Sequence, residues 1–121
     1  MKLLYIAVAI SVAGCGANYP VPTQRLADAQ SANRSARELG ADKIPMAQLH
    51  MKLAEEQIAK AKTILEGEEN RRADFMLIRA RADAELALAL AHEQKERTEA
   101  DKVIADSNAQ RTSNTAQGAV R

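Results

Sequence analysis

The sequence predicts an all-α fold, a three-helix bundle or coiled-coil-like domain. An antiparallel hairpin (about 45–66 and 68–106) follows a shorter N-terminal helix (about 23–39). Two observations predict helices: apolar residues recur three and four positions apart, and proline and glycine fall between the periodic segments. A third predicts the hairpin, because one or two linking residues force neighbouring helices to run antiparallel.

The first predicted helix begins after Pro22, where Thr23 is expected to act as the N-cap. Gly40 follows the helix as a C′ residue, a position where a left-handed conformation costs glycine least. One face of the helix is apolar and consists of Leu26, Ala29, Ala32 or Asn33, Ala36 and Leu39. Since only its two leucines are large, this helix is expected to be a weak cover for its neighbours.

The second predicted helix runs from about Pro45 to Glu66. Pro45 suits the first helical position, where the missing N–H is not needed. Gly67 is expected to end the helix, and Glu68 and Glu69 to open the next one, because carboxylates are favourable at the positive end of a helix dipole. The apolar face is predicted to contain Met46, Leu49, Leu53, Ala54, Ile58, Ala61, Ile64 and Leu65.

The third predicted helix is the longest, from about Glu68 to Asp106, and it has two apolar faces. The first, the alanine stripe, consists of Ala73, Leu77, Ala80, Ala84, Ala87 or Leu88, and Ala91. The second, the Phe75 stripe, consists of Phe75, Ile78, Ala82, Leu86, Ala89 and Leu90. Two apolar faces predict a helix covered from two sides, by the second helix and by either the first helix or a second protomer. Residues 107–121 lack this periodicity, and we expect a disordered tail.

The N-terminus has the pattern of a secretory signal peptide, residues 1–14, with one lysine followed by an apolar run. The segment Val12-Ala13-Gly14-Cys15 resembles the lipobox of bacterial lipoproteins. That resemblance implies that the Cys15 thiol receives a diacylglyceryl group, which holds the protein on a membrane, and Gly16 implies the outer membrane, facing the periplasm. Residues 15–22 are then a short lipidated tether.

Three other interpretations fit this N-terminus less well. Cys15 could be a buried thiol, but it lies outside any amphipathic pattern. It could form a disulfide, but as the only cysteine it would need a partner in another chain. The apolar run could cross a membrane, but its residues span only about 16 Å as a helix, against ~30 Å of hydrocarbon.

Composition excludes several classes of function. Removal of residues 1–14 takes away only Lys2 among the charged residues and leaves a neutral chain, which has no electrostatic reason to bind nucleic acid. Tyr19 and Phe75 are the only aromatic residues that remain, so no stacking platform and little of a small-molecule pocket can be built. We therefore expect no cofactor and no small-molecule substrate.

No constellation of catalytic or metal-binding residues is found. His50 and His92 are far apart and belong to no metal-ligand pattern. Asp83 and Glu85 point to different faces of a helix, and an arginine four residues before each predicts solvated ion pairs. The sequence therefore predicts a protein without enzymatic activity.

Two segments resemble a family of small bacterial envelope lipoproteins with a domain of unknown function. They are the stretch from Leu49 to Ala61 and the stretch from Ala80 to Ala91 (ARADAELALALA), and the resemblance covers about Pro22 to Gln94. Some relatives continue into an OmpA-like peptidoglycan-binding domain. The resemblance implies no catalytic residues.

The expected function is that of a lipid-anchored outer-membrane protein whose helical body is an interaction or scaffold module. The candidate partner-binding face consists of Phe75, Ile78, Leu86 and Leu90, and its partner is another envelope protein or a second copy of the chain. A closed three-helix monomer is the structural alternative. The functional alternatives are a structural lipoprotein associated with peptidoglycan and, less favoured, a small-ligand carrier or enzyme.

Overall fold

The computed structural model describes residues 18–119. It contains α1 (Thr23–Glu38), a short 3-10 turn (Ala41–Lys43), α2 (Pro45–Glu66) and α3 (Asn70–Gly118). Within this range the chain has no strand, which confirms the all-α fold. The predicted signal peptide and Cys15 lie outside the described residues.

The ends of α1 differ slightly from the prediction. Thr23 is the first helical residue rather than the N-cap, because the N–H of Leu26 already donates to the carbonyl of Pro22 at 3.1 Å. At the other end, Leu39 is the C-cap and Gly40 adopts the left-handed conformation with φ of 88°. The prediction for Gly40 is confirmed, and the chain reverses there into the 3-10 turn.

The bounds of α2 agree with the prediction, but its packed face does not. Met46 and Leu49 are 56% and 49% exposed, although they were assigned to the apolar face. The buried residues are Ala47, Met51, Ala54, Ile58, Ala61 and Ile64. The helix is rotated because the small side chain of Ala47 allows close contact with its neighbours, whereas the larger Met46 would hold the helices apart.

The turn between α2 and α3 is longer than expected. Glu68 is not helical but left-handed, with φ of 58°, and α3 begins only at Asn70. The N–H of Glu69 donates to the carbonyl of Ile64 at 3.3 Å, which satisfies one of the last carbonyls of α2. The predicted start of the third helix at Glu68 is therefore wrong, because a direct link would leave these carbonyls without partners.

Both shorter helices pack against the alanine stripe of α3. One core cluster joins Ala29 of α1, Ile58 of α2 and Ala80 of α3. A second contains Ala36, Ala41, Ala47, Met51, Ala87 and Ala91. Most buried side chains are alanines, and Leu77 is the largest fully buried one within the described range. The helix axes are therefore close, with α1 parallel and α2 antiparallel to α3.

Beyond Ala91, α3 leaves the bundle and continues alone. Every described residue after Ala91 is exposed, yet the helix extends to Gly118. The third helix therefore does not end near Asp106 as predicted, and residues 107–118 are helical where a disordered tail was expected. Between Gly67 and Gly118 the chain has no proline or glycine, and the hydroxyls of Thr112, Ser113 and Thr115 donate to carbonyls four residues earlier. We call residues 92–118 the arm.

Among the helices of residues 18–119, none combines the length and the apolar character that crossing a membrane requires.

Candidate interaction surface on the third helix

The Phe75 stripe lies on the face of α3 that points away from the bundle. Phe75, Ile78 and Leu86 are 57%, 41% and 43% exposed. Successive members are three and eight positions apart, so all three lie along one side of the helix. On that side, Ala82 lies between Ile78 and Leu86, and Ala89 follows Leu86. The result is a narrow apolar surface on the outside of a folded domain.

Leu90, the fourth candidate residue, has a different environment. It is half-buried and packs against the core cluster that contains Met51, Ala87 and Ala91. Neither α1 nor α2 covers Phe75, Ile78 or Leu86, because both shorter helices lie on the alanine stripe. Of the two predicted ways to cover the second apolar face of α3, packing of α1 against that face is therefore wrong.

Charged residues flank the Phe75 stripe at both of its ends. Arg71 lies over the ring of Phe75, 5.9 Å from its centroid, and Arg79 follows on the same side of the helix. Toward the arm, Glu93 and Glu96 continue the line of Leu86 and Ala89, and Arg97 lies on the same side, where it forms an ion pair with Glu93 at 2.6 Å. The stripe therefore has arginines at one end and charges of both signs at the other.

An open cleft adjoins the basic end of the stripe. It has a volume of about 530 Å³ and is lined by residues of the N-terminal segment and of the α2–α3 turn, with Tyr19, Asn70, Arg71 and Phe75 among them. The cleft contains both arginines and glutamates, and thus has no strong preference for one charge.

A buried carboxylate fixes the N-terminal segment to the bundle beside this cleft. The side chain of Asp74 is 6% exposed, forms an ion pair with Arg25 of α1 and accepts a hydrogen bond from the hydroxyl of Tyr19 at 2.7 Å. Asn70 adds a hydrogen bond of 2.8 Å from its amide to the carbonyl of Tyr19. The hydrogen bond with Asp74 raises the pKa of Tyr19, since it stabilises the neutral phenol. Residues 19–22 therefore belong to the folded body, and the predicted tether is shorter than residues 15–22.

Asp74 was not among the residues that the sequence pattern predicted to be functional. The available signal was its position next to Ala73, which places it at the border of the alanine stripe, where an acidic side chain needs a partner from another helix. Such a position indicates a cross-helix contact, but not which arginine supplies it.

A second polar network joins α2 and α3. Oδ1 of Asp83 lies 2.9 Å from Nδ1 of His50, and the amide of Gln57 donates to its Oδ2 at 2.7 Å. The predicted partner of Asp83, Arg79 on the same helix, is replaced by these two residues because Asp83 borders the face that contacts α2.

The predicted pair of Arg81 and Glu85 is present, at 2.7 Å. This hydrogen bond raises the pKa of Arg81. Arg81 also contacts Asp28 of α1 at 3.2 Å, so it links two helices at the surface of the bundle. These networks connect and align the three helices. Between residues 18 and 119, no three His, Cys, Asp or Glu side chains are grouped as a metal site would require.

Comparison with known proteins identifies the family. A family model described as "Domain of unknown function (DUF4398)" matches residues 24–103. The chain belongs to this family. The match spans α1, α2 and α3 up to residue 103 in the arm, which confirms the resemblance to a family with a domain of unknown function. No curated protein and no solved structure matches the chain.

Proposed function

We propose that this member of the DUF4398 family is a lipid-anchored protein of the outer membrane, without enzymatic activity, whose helical body binds another protein through the Phe75 stripe. The observation that carries the proposal is the exposure of Phe75, Ile78 and Leu86 on the side of α3 opposite the core. Burial of such side chains in an interface contributes about 1.5–3 kcal/mol each. A helix that packs one apolar face and leaves a second uncovered is suited to docking.

The N-terminal residues support the location. The segment Val12-Ala13-Gly14-Cys15 has the lipobox pattern, and Tyr19 is held against Asp74 by its hydroxyl. From Cys15 to Tyr19 the chain can span at most about 14 Å. Acyl chains on Cys15 would therefore hold the end of the bundle that contains Asn70 close to the membrane surface.

The location is tested with a Cys15→Ser variant of the full chain. We expect labelled fatty acid to enter the wild-type protein and the protein to fractionate with outer membranes. The variant should take up no label and remain unprocessed or leave the membrane fraction. A variant that still fractionates as mature protein with outer membranes would refute the lipid anchor.

The docking role is tested by chemical crosslinking of intact cells that produce the wild type, Leu86→Glu or Lys102→Glu. Lys102 is exposed on the opposite side of α3 and serves as the control. We expect crosslinked protein bands to be lost in Leu86→Glu and retained in Lys102→Glu. Equal bands in all three, together with co-sedimentation of the protein with purified cell wall, would favour the structural peptidoglycan-associated alternative.

A further inference from the structure

We infer that α3 points away from the membrane, so that the arm is the part of the described chain farthest from the lipid. The inference rests on the proposed lipid anchor and adds the direction of the protein relative to the membrane. Two observations carry it: the N-terminal segment is fixed to the first turns of α3, and the arm has no side that a lipid surface would hold.

The N-terminal segment is fixed to the start of α3 by two contacts. The hydroxyl of Tyr19 donates to Asp74 at 2.7 Å, and the amide of Asn70 donates to the carbonyl of Tyr19 at 2.8 Å. Because Asn70 and Asp74 are one helical turn apart, both contacts lie at the same end of the bundle. Cys15 can lie no farther than about 14 Å from Tyr19. The proposed anchor therefore holds this end of α3 near the lipid.

The direction of α3 places the arm at the opposite end of the molecule. The helix is continuous from Asn70 to Gly118 and its 49 residues span about 74 Å. The arm, residues 92–118, accounts for about 40 Å of this length. The bundle lies between the anchored end and the arm, since α1 and α2 pack against α3 only as far as Ala91.

The arm has no surface that would draw it onto a bilayer. Helices that lie on a membrane combine a continuous apolar face with a polar face rich in basic residues. The only large apolar side chains of the arm are those of Val103 and Ile104, and its acidic and basic residues are nearly equal in number. Neither apolar contact nor attraction to anionic headgroups would therefore hold the arm at the surface.

The competing arrangement lays α3 flat, with the Phe75 stripe against the lipid. The apolar part of this side ends at Ala89, and Glu93, Glu96 and Arg97 follow it on the same side. Because the helix continues without interruption, a flat stripe would also bring the arm along the headgroups, where nothing holds it. With α3 directed away from the membrane, a partner of the stripe approaches from the side, at a height set by its position along the helix.

Energy transfer from labelled positions to acceptors in the membrane measures these heights. The lipid-modified full chain is inserted from detergent into preformed vesicles of phosphatidylethanolamine and phosphatidylglycerol that contain an acceptor-labelled lipid. A donor dye is attached to Arg72→Cys, Lys95→Cys or Arg111→Cys, one per chain. These positions are exposed along α3, and about 58 Å of helix separates the first from the last. We expect transfer to fall in this order and to be severalfold lower at position 111 than at position 72.

A change in the length of the tether provides a matched control. An insertion of about 12 Gly and Ser residues between Ala17 and Asn18 adds on the order of 19 Å to the root-mean-square length of the tether. It should lower the transfer from position 72, because the anchored end then moves away from the lipid. The same insertion after Ala119 should leave that transfer unchanged. Circular dichroism confirms that each chain keeps its helical content.

Equal transfer from the three positions, or transfer that rises toward position 111, would overturn the inference. So would an insertion before Asn18 that leaves the transfer from position 72 unchanged. A chain that takes up no lipid and does not bind the vesicles would refute the proposed anchor together with this inference. A chain that binds the vesicles through its lipid but shows equal transfer refutes this inference alone.

Discussion

The hydroxyl of Tyr19 donates a hydrogen bond of 2.7 Å to Oδ2 of Asp74, a carboxylate at the start of α3 that is almost fully buried. Arg25 of α1 pairs with the other oxygen of the same carboxylate. One side chain thus connects the N-terminal segment, α1 and α3. Under the proposed lipid anchor at Cys15, only a few residues before Tyr19, this connection would set how the bundle lies at a membrane.

Removal of this carboxylate should destabilise the fold. We expect Asp74→Ala to lower the free energy of unfolding by about 1–2 kcal/mol, because two charge-assisted contacts are lost while Tyr19 and Arg25 can still reach water. Glu69→Ala, which removes an exposed carboxylate paired with Arg72, is the control and should cost at most about 0.5 kcal/mol. Urea denaturation measures both. Equal effects would show that Asp74 contributes no more than a surface ion pair.

The titration of Tyr19 gives a second prediction. A phenol whose pKa is raised in the folded state contributes stability that is fully present below its ordinary pKa of about 10. This contribution is lost as the pH rises through the folded value, so it disappears only in strongly alkaline solution. The ultraviolet absorbance of phenolate, taken as the difference between wild type and Tyr19→Phe, should show a midpoint above 10. Asp74→Asn should move that midpoint down, and an unchanged midpoint would contradict the hydrogen bond.

The two glycines at the helix ends should respond oppositely to alanine. Gly40 has φ of 88° and nothing within 4 Å of an added Cβ, so Gly40→Ala should cost about 1 kcal/mol through backbone conformation alone. Gly67 has an ordinary φ of −87° and only a normal contact at 3.5 Å, so Gly67→Ala should be neutral or stabilise by about 0.4–1 kcal/mol. Thermal unfolding followed by circular dichroism compares the two. Destabilisation by Gly67→Ala alone would contradict the described turns.

Substitutions at two alanines of α3 distinguish its buried face from its exposed face. Ala84 is fully buried, so Ala84→Glu should cost several kcal/mol and abolish cooperative unfolding. Ala82 lies in the Phe75 stripe and is exposed, so Ala82→Glu should change the stability of the monomer by no more than about 0.5 kcal/mol. Chemical denaturation at low protein concentration makes the comparison. Similar losses from both would mean that the stripe is already covered within one chain.

The sequence predicted the elements of the fold well where the periodicity was strong. The bounds of α2 and the burial of Ala73, Leu77, Ala80 and Ala84 agree with the structure, because small residues repeated on one face have few alternative arrangements. Spacing alone could not decide whether Ala32 or Asn33 lies on the packed face of α1. Asn33 is the buried residue, and its amide donates to Glu55 at 3.2 Å.

The remaining differences come from contacts between helices, which a one-dimensional pattern does not contain. The rotation that exposes Met46 and Leu49 depends on how closely Ala47 approaches the other helices. The partners of Asp74 and Asp83 depend on which side chains face them across a helix boundary. The extended arm shows that polar composition without proline or glycine is compatible with a helix as well as with a disordered tail.

The most direct test of the central claim is site-specific photocrosslinking along α3 of the full chain in living cells. A photoreactive residue is placed at Phe75, Ile78 and Leu86 in turn, with Lys52 on the outer side of α2 as the control. We expect crosslinks to a defined protein at the three stripe positions and none at Lys52. Crosslinks absent from all three stripe positions, or equally strong at Lys52, would contradict a specific interaction surface on α3.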